Sequence, residues 1–373
     1  MDDWFAWLRL QLTPGLGRAA LFRLIGQFGA PQAALEQSRD WHLLKGLRRG
    51  LAAQVPAESD PRLKEGMHCL QNNKARIVTF WEADFPPLLK TIPDPPVLLY
   101  VRGTLAKEER RLAIVGSRRP TQTALTWTEQ LAAELAVQGI STVSGLARGI
   151  DGAAHRGSLV GKGRTIAVLG CGIDRVYPAE HGEMFCAIAE QGAILSEYPP
   201  GTEPLPGHFP GRNRIISGLS QGVLVVEADR NSGSLITAEF ALEQGREVFA
   251  VPGGIDRPTS SGTNQLLKEG AHPATELEDV VGVLWPGSER RSHPPVDSDS
   301  LDDLSPPARE VLRHLGTEPR NIDELAGKTG LTPMELSVIL LHLELQGKAE
   351  ALPGASYIRR GSDLFHQQTW GTD

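Results

Sequence analysis

The 373-residue sequence has few cysteines and no long hydrophobic run. Cys69, Cys171 and Cys186 are an odd number at no metal-ligand spacing, which argues against a structural zinc site and is typical of reduced thiols in the cytoplasm. No apolar stretch approaches the roughly 20 residues that a membrane-spanning helix needs. The N-terminus also lacks the basic region of a secretion signal. We therefore expect a soluble cytoplasmic protein without a metal and without a membrane partner.

Positive charge is not in excess either, because the formal net charge is -7. A protein that coats nucleic acid by bulk electrostatic attraction is strongly basic, so nucleic-acid binding by this chain requires a local basic groove on an acidic body. The hydrophobic share of 40% is ordinary for a globular protein, and the length predicts two or three domains.

The common signatures of nucleotide-dependent and hydrolytic enzymes are missing. Gly170-Cys171-Gly172 is followed by Arg175 where the third glycine of a dinucleotide-binding turn would stand, and no G-x-x-x-x-G-K-[ST] loop is present. We therefore predict no cofactor and no catalytic residue. The histidines weighed for catalysis or metal binding stand singly, without a ligand pair or a nucleophile elbow: His155, His181, His208 and His272.

From Leu112 to about Leu284 the sequence alternates repeatedly between strand-like and helix-like segments. Short β-branched apolar runs, glycine-containing turns and helical stretches follow one another in order. Strands that are apolar on both faces and separated by helices predict a doubly wound, mostly parallel, Rossmann-like α/β sheet, which binds ligands at the carboxyl ends of its strands. The strand candidates are Leu112–Val115, Ile140–Val143, Ile166–Leu169, Ile194–Leu195, Val223–Val226 and Val248–Val251, with helices such as Ala124–Gln138 and Leu235–Gln244 between them.

Smaller modules are predicted on both sides of this sheet. Short N-terminal helices surround the turn Gly15-Leu16-Gly17, which resembles a helix-hairpin-helix or SAM-like turn. A glycine turn that merely lets two helices pack is the preferred interpretation. In chain order we predict an all-α module at 1–53, a connecting segment at 54–111, the Rossmann-like domain at 112–284, a linker at 285–303, a winged helix at 304–361 and a tail at 362–373.

The predicted winged helix rests on its own pattern of helices. Three helix candidates, Pro306–Leu315, Ile322–Thr329 and Pro333–Gln346, follow the linker. A hairpin about Pro353-Gly354 then supplies the wing.

The segment Phe209-Pro210-Gly211-Arg212-Asn213-Arg214 is the strongest sign of a binding site. Because it runs into the apolar-periodic Ile215 and Ile216, we predict a helix that starts after the two arginines. Two guanidinium groups beside a helix N-terminus suit a phosphate, and Phe209 offers a face on which a base can stack. A core phenylalanine with two structural arginines explains this segment equally well.

Further loops have the same character, and the predicted fold places them at one edge of the sheet. Gly116-Ser117-Arg118-Arg119, Ser144 to Asp151 and Ser232-Gly233-Ser234 combine small residues with cations or a helix start. Several such loops on one rim suit a repeating polyanion better than a single phosphate. Carboxylates near the strand ends could serve as general bases, but helix caps or arginine partners are the preferred interpretation: Asp151, Asp174, Glu227 and Asp229.

Taken together, these segments resemble the DNA-processing protein A family (DprA or Smf). The match runs in order through the whole central domain, so it is far more specific than any one loop. The flanking modules fit the family layout by fold pattern only. The segments that carry the resemblance are Gly116-Ser117-Arg118 with Thr121, Ser144–Asp151, Val168–Gly172 with Asp174 and Tyr177-Pro178, Phe209–Ser220, Ser232–Ala238 and Gly245–Gly253.

The resemblance implies a non-enzymatic protein that binds single-stranded DNA, protects incoming DNA in natural transformation and helps to load RecA recombinase. It also implies a homodimer through the Rossmann-like domain, and duplex DNA as a minor partner of the winged helix. His181, where an asparagine is expected, and Glu239, where a basic residue is common, depart from the family pattern. The implied single-strand site consists of Gly116, Ser117, Arg118, Gly145, Arg148, Phe209, Arg212, Asn213, Arg214, Ser232, Gly233, Ser234 and Lys268.

Two other functions stay open on the sequence. Gly253-Gly254 and Gly262-Thr263 resemble, with an insertion between them, the phosphate-binding turn of nucleotide phosphoribohydrolases. The winged helix could instead make the chain a regulator that reads duplex DNA. Its third helix carries Glu335 and Glu344 and few cations, which favours partner contact over base readout.

Overall fold

The computed structural model describes residues 2–106, 109–287, 304–316, 318–345, 348–352 and 354–359. The chain divides into two compact units between residues 291 and 292. Most of the predicted linker at 285–303, the tail at 362–373 and Pro353 of the predicted hairpin lie outside the described residues.

A mostly parallel sheet forms the centre of the first unit. Its strands are β1 (Ala75–Thr79), β2 (Leu98–Gly103), β3 (Arg110–Val115), β4 (Ile140–Ser144), β5 (Thr165–Leu169), β6 (Ala193–Ser196), β7 (Gly222–Val225), β8 (Glu247–Ala250) and β9 (His272–Pro273). They lie side by side in the order β1-β2-β6-β5-β4-β3-β7-β8-β9. The strands from β6 to β9 in this order run parallel, whereas β2 runs antiparallel to β6 and β1 antiparallel to β2.

Helices connect these strands and cover both faces of the sheet. They are α1 (Asp2–Gln11), α2 (Arg18–Phe28), α3 (Pro31–Glu36), α4 (Pro61–Asn72), α5 (Pro87–Lys90), α6 (Gln122–Val137), α7 (Ile150–Val160), α8 (Gly182–Gln191), α9 (His208–Gly218), α10 (Gly233–Glu243), α11 (Ser261–Lys268) and α12 (Leu277–Leu284). Within the described ranges, no helix combines the length and the apolar character that a bilayer crossing requires.

The core has two layers because neighbouring side chains of a strand point to opposite faces. On β3, Leu112 and Ile114 join one apolar cluster, and Ala113 and Val115 join another. The N-terminal helices do not stand apart from this core, since Leu24 of α2 and Tyr100 of β2 belong to one cluster. The boundary predicted between residues 53 and 54 therefore stays a prediction.

The predicted fold class is confirmed. All six predicted strands are present to within two residues at either end, as are the two named helices between them. No strand is predicted for residues 54–111, yet β1 and β2 lie there and widen the sheet. Prolines such as Pro95 and Pro96, directly before β2, are typical of loops and obscure the strand pattern.

The strand order creates a crevice at one place on the carboxyl edge. From β3 the chain builds outward through β4, β5 and β6, and then returns to place β7 on the other side of β3. The connections leaving β3 and β7 therefore diverge, which opens a gap above the sheet between them.

The second unit is a winged helix, as predicted. Helices α13 (Pro306–His314), α14 (Ile322–Thr329) and α15 (Pro333–Leu345) pack around a small apolar core. Strands β10 (Arg320–Asn321), β11 (Ala349–Leu352) and β12 (Ser356–Arg359) form an antiparallel sheet in the order β10-β12-β11.

His155 is a buried ionisable group in the core of the first unit. Its Nδ1 lies 2.7 Å from Thr165 Oγ1, whose hydroxyl donates to the carbonyl of Thr142. Thr165 Oγ1 therefore accepts from Nδ1–H. Among the described residues the buried Nε2 has no hydrogen-bond partner, so the apolar surroundings favour the neutral tautomer that is protonated on Nδ1. Burial lowers the pKa of His155 from 6.5 to about 3.

This burial predicts a loss of stability in mild acid. Between the two pKa values the unfolded chain binds a proton that folded His155 does not, so the free energy of unfolding falls as the pH drops below 6.5. From about pH 7 to about pH 5 this one group lowers it by about 2 kcal/mol. Denaturant unfolding of wild type and His155→Leu at both pH values measures the effect. The variant should lose about 2 kcal/mol less than wild type over this interval, and equal losses would contradict the assignment.

Candidate nucleic-acid interface

A pocket of about 580 Å³ occupies the crevice at the carboxyl ends of the strands. The loop after β3, the start of α9 and the start of α10 form most of its wall. Its lining includes Gly116, Ser117, Arg118, Arg119, Tyr177, Phe209, Arg212, Asn213, Ser232, Gly233 and Ser234.

The helix that carries the arginines starts earlier than predicted. It begins at His208, so Phe209, Arg212 and Arg214 lie inside α9, and the prediction of a start after Arg214 is wrong. Pro210 does not prevent this, because the first turn of a helix needs no backbone donor there. Residues two apart in a helix point roughly 200° away from each other around its axis. Arg212 and Arg214 therefore cannot both face the pocket.

Arg212 faces the pocket from below but is largely buried. Its Nη1 donates to the carbonyl of Gly145 at 2.7 Å and also to the carbonyl of Val168. These carbonyls belong to the ends of β4 and β5. Burial lowers the pKa of Arg212, and neighbouring Asp151 opposes that shift. Arg212 thus holds the strand ends together and adds positive potential beneath the pocket.

Arg214 points away from the pocket, contrary to the expectation that it binds a phosphate. Its side chain is only 4% exposed. The guanidinium pairs with Glu197 and donates to the carbonyl of Asp94 at 2.8 Å. A phosphate on the rim cannot displace these buried partners, so Arg214 is a structural cation.

Phe209 lies between two cations on the wall of the pocket. The guanidinium carbons of Arg118 and Arg212 are 5.6 and 5.8 Å from its ring centroid. The ring of Tyr177, 44% exposed, is centred 5.6 Å away from that of Phe209. The pair presents an aromatic surface beside fixed positive charge, which suits the stacking of a base next to its phosphate.

Arg118 and Arg119 are the available cations of this site. Both are exposed at the end of β3. Within the described part of the chain, neither guanidinium forms an ion pair or a hydrogen bond. They can therefore approach a phosphate without first losing a protein partner.

The small residues of the two loops serve structure more than a phosphate cradle. The backbone N–H of Ser117 donates to the carbonyl of Glu227 at 2.7 Å, so it is not free for an anion. A Cβ on Gly116 would lie 2.7 Å from Ile150, which explains the glycine. Ser232 caps α10, since its hydroxyl accepts from Ser234 N. The carbonyl of Gly233 accepts from the Asn213 amide at 3.2 Å, which ties α9 to α10.

Two predicted cations are not brought to the pocket. Arg148 is exposed but paired with Glu180, which it approaches to 3.0 Å through Nη2. Lys268 is exposed at the end of α11, outside the lining. Gly145 likewise lies outside the lining and serves as the partner of Arg212.

The carboxylates near the strand ends are engaged by the protein itself. Asp151 accepts from the backbone N–H of Gly145 at 3.1 Å, and burial raises its pKa. Glu227 accepts from Thr121 Oγ1 at 2.8 Å. In the portion that the structure describes, no three histidine, cysteine or acidic side chains are grouped as metal ligands.

The turn that resembles a phosphoribohydrolase motif is not part of the pocket. Thr263 is buried and its hydroxyl donates to the carbonyl of Ser260 at 3.1 Å. Gly253 and Gly262 lie outside the lining. This geometry separates the motif from the pocket.

Sequence reasoning left two residues out of the site. Arg119 belongs to the loop after β3 that is predicted to lie at the site, and its position beside Arg118 is the signal that could have identified it. Tyr177 reaches Phe209 only because the loop after β5 folds back over the carboxyl edge, and no local pattern signals that contact.

Fold and site together define a Rossmann-like α/β protein that has a cationic, aromatic crevice at its switch point and a winged helix further along the chain. Residues 76–284 match the family model "DNA recombination-mediator protein A", and residues 294–355 match "DprA winged helix domain". The chain belongs to the DNA recombination-mediator protein A family, whose members are called DprA or Smf.

Relatives cover most of the chain. Protein Smf of Escherichia coli is 44% identical over 283 residues, which are 74% of this chain and 75% of that protein. A putative DNA processing protein DprA of Mycobacterium tuberculosis is 33% identical over 372 residues, 96% of this chain and 94% of its own. The match therefore extends beyond the central domain.

Solved structures of DprA proteins are similar to this one. The X-ray structure of DprA from Streptococcus pneumoniae aligns with a TM-score of 0.66 at 35% identity, covering 75% of this chain and 97% of its own. DprA from Helicobacter pylori, described for its single-stranded DNA binding mode, aligns with a TM-score of 0.51 at 33% identity, covering 56% and 95%.

The close approach of Gly145 and Arg212 predicts that no side chain fits at residue 145. A Cβ there would lie 2.5 Å from the guanidinium nitrogens of Arg212. Gly145→Ala should therefore lower the free energy of unfolding by about 1–3 kcal/mol, the usual effect of overpacking. Denaturant titration measures this change.

Gly182→Ala is the matched control. Nothing lies within 4 Å of its added Cβ, and its helical φ of -58° suits alanine. This variant should be as stable as wild type or slightly more stable. If both alanine variants unfold alike, Gly145 is not required for the position of Arg212.

Proposed function

We propose that this protein binds single-stranded DNA in the crevice, acts in the cytoplasm and protects incoming DNA in natural transformation without catalysing a reaction. One observation carries the proposal: the guanidinium groups of Arg118 and Arg119, which have no ion-pair partner among the described residues, stand beside the aromatic surface of Phe209 and Tyr177 in one pocket. Guanidinium groups bind the phosphates of a nucleic acid, and an aromatic surface allows its bases to stack. The single-strand binding mode described for the Helicobacter pylori relative supports the same ligand.

Each part of the site has a distinct role in this proposal. Arg118 and Arg119 contact phosphates, and a base stacks on Tyr177 and Phe209. Arg212 acts mainly through its field, because the carbonyls of Gly145 and Val168 engage its Nη1 and the Asn213 amide oxygen accepts from its Nε. Arg148 would bind an extended strand once its exposed pair with Glu180 opens.

We also propose two protein partners. The family name "recombination-mediator" supports a role in loading RecA onto the bound strand. A homodimer through the Rossmann-like domain is implied by the family resemblance. Sedimentation equilibrium of the full chain would show a mass twice that of the monomer for this dimer, and a monomer mass would contradict it.

Replacing Arg118 tests the single-strand site. Arg118→Ala should weaken binding of oligothymidylate and of a mixed-sequence strand equally, by about five- to tenfold at moderate salt. Because one phosphate contact is lost, the slope of log affinity against log salt should become shallower by about 0.7. Fluorescence anisotropy over a salt series measures both quantities.

The control for this experiment is Arg39→Ala. Arg39 is exposed among the N-terminal helices and lies outside the pocket lining. Its removal should leave affinity and slope near those of wild type. Wild-type binding that ignores salt, or a loss after Arg118→Ala that depends on base sequence, would contradict phosphate contact. Release of free base from a nucleoside monophosphate would instead favour the phosphoribohydrolase alternative.

RecA loading is tested on a strand precoated with single-strand binding protein. Full-length protein should shorten the lag before RecA filaments form, and Arg118→Ala should restore most of the lag because it holds the strand more weakly. Strand-dependent ATP hydrolysis by RecA reports the lag. A wild-type protein that leaves the lag unchanged would contradict the mediator role.

A further inference from the structure

Four charged side chains meet on the side of α9 that faces away from the pocket. Arg18 begins α2, Asp94 lies between α5 and β2, Glu197 follows β6, and Arg214 belongs to α9. We call these four residues the Arg18–Arg214 cluster. They come from segments far apart in the sequence, so the cluster exists only in the folded chain.

The two carboxylates bridge the two arginines. Glu197 Oε2 pairs with Arg214 and lies 3.4 Å from Arg18 Nη1. Asp94 pairs with Arg18, and its Oδ2 is 3.5 Å from Arg214 Nε. Arg18 is therefore linked to Arg214 through two shared anions.

The cluster is buried at its Arg214 end and exposed to solvent at its Arg18 end. The side chains of Arg214 and Glu197 are 4% and 10% exposed, whereas those of Arg18 and Asp94 are 40% and 53% exposed. Removing one partner of a buried pair leaves an uncompensated charge, so the Arg214 end is strongly constrained. The Arg18 end can be altered without leaving a charge in the core.

The cluster sits behind the residues of the pocket. The helix that carries Arg214 also carries three residues that line the pocket, namely Phe209, Arg212 and Asn213. Arg18 and Arg214 themselves are not part of the lining. A short helix moves as a rigid body, so contacts that hold one side of α9 also determine where its other side stands. Mispositioning of a site by a small distance is enough to weaken binding.

We propose that Arg214 is a positioning residue and that Arg18, through Glu197 and Asp94, couples the N-terminal helical layer to the single-strand site. This inference rests on the proposed function. It assigns to Arg214 an effect on affinity that requires no contact with a phosphate. It also makes the seating of α2 a condition for tight binding.

A salt series distinguishes positioning from phosphate contact. Arg18→Gln and Arg214→Lys should each weaken oligothymidylate binding about three- to tenfold. Their slopes of log affinity against log salt should stay parallel to wild type, because no phosphate contact is lost, whereas that of Arg118→Ala becomes shallower by about 0.7. Circular dichroism melting identifies any variant that fails to fold. If Arg214→Lys fails to fold, the affinity and salt slope of Arg18→Gln still distinguish positioning from phosphate contact.

Arg23→Gln is the matched control. Arg23 is exposed on the same helix as Arg18 and donates to the carbonyl of Lys45 at 3.2 Å, away from the cluster. Arg23→Gln removes one positive charge, as Arg18→Gln does, and should change the affinity for oligothymidylate less than about twofold. A double-mutant cycle adds a second readout: Arg18→Gln with Glu197→Gln should be less than additive, and Arg18→Gln with Arg118→Ala should be additive.

The outcomes separate this inference from the proposed function. If Arg118→Ala behaves as expected but Arg18→Gln binds like Arg23→Gln, the coupling is wrong and the site stands. A slope for Arg18→Gln as shallow as that for Arg118→Ala would make Arg18 a phosphate contact and overturn positioning. Salt-independent wild-type binding would overturn the proposed function itself.

Discussion

The site depends on one buried guanidinium, that of Arg212. Carbonyls at the carboxyl ends of parallel strands point out of the ladder and need donors. Arg212 reaches from α9 to the carbonyls of Gly145 and Val168, and so joins the helix to the ends of β4 and β5. A buried charge is unfavourable unless it is satisfied, and here these carbonyls and the nearby Asp151 compensate it. Because Phe209 lies on the same helix, this contact also sets the aromatic wall of the pocket.

An acidic chain can hold an anion because its field is local. The net charge is -7, yet charges separated by more than about 8 Å in solution are largely screened at physiological salt. Several exposed arginines elsewhere are paired with a carboxylate, as Arg148 is with Glu180 and Arg156 with Glu129. The exposed Arg118 and Arg119 lack such partners in the described residues, and they stand at the crevice. The lack of a carboxylate partner together with a place at the crevice, more than the number of cations, decides where an anion binds.

The third helix of the winged helix is acidic and apolar on its exposed surface, whereas the crevice is cationic and aromatic. Its third helix, α15, contains no lysine or arginine, and Met334, Val338 and Leu341 are exposed on it. Glu335 accepts from the backbone of Thr332 at the start of that helix. A duplex backbone would meet carboxylates and apolar side chains there, which disfavours the duplex-reading regulator that the fold pattern alone leaves open.

Between Leu112 and Val251 the sequence by itself determined the element order, the parallel sheet and the loops that share its carboxyl edge. The spacing of apolar residues is a local property, and parallel strands must end on one side, so the strands from Leu112 to Val251 could be predicted. Only the tertiary structure decided which arginines serve the site. Arg212 and Arg214 look equivalent in sequence, but α9 begins at His208 and turns them to opposite sides. Arg212 lines the pocket, whereas Arg214 pairs with Glu197 and Asp94. Orientation about a helix axis and pairing across distant segments arise from packing, which no local pattern contains.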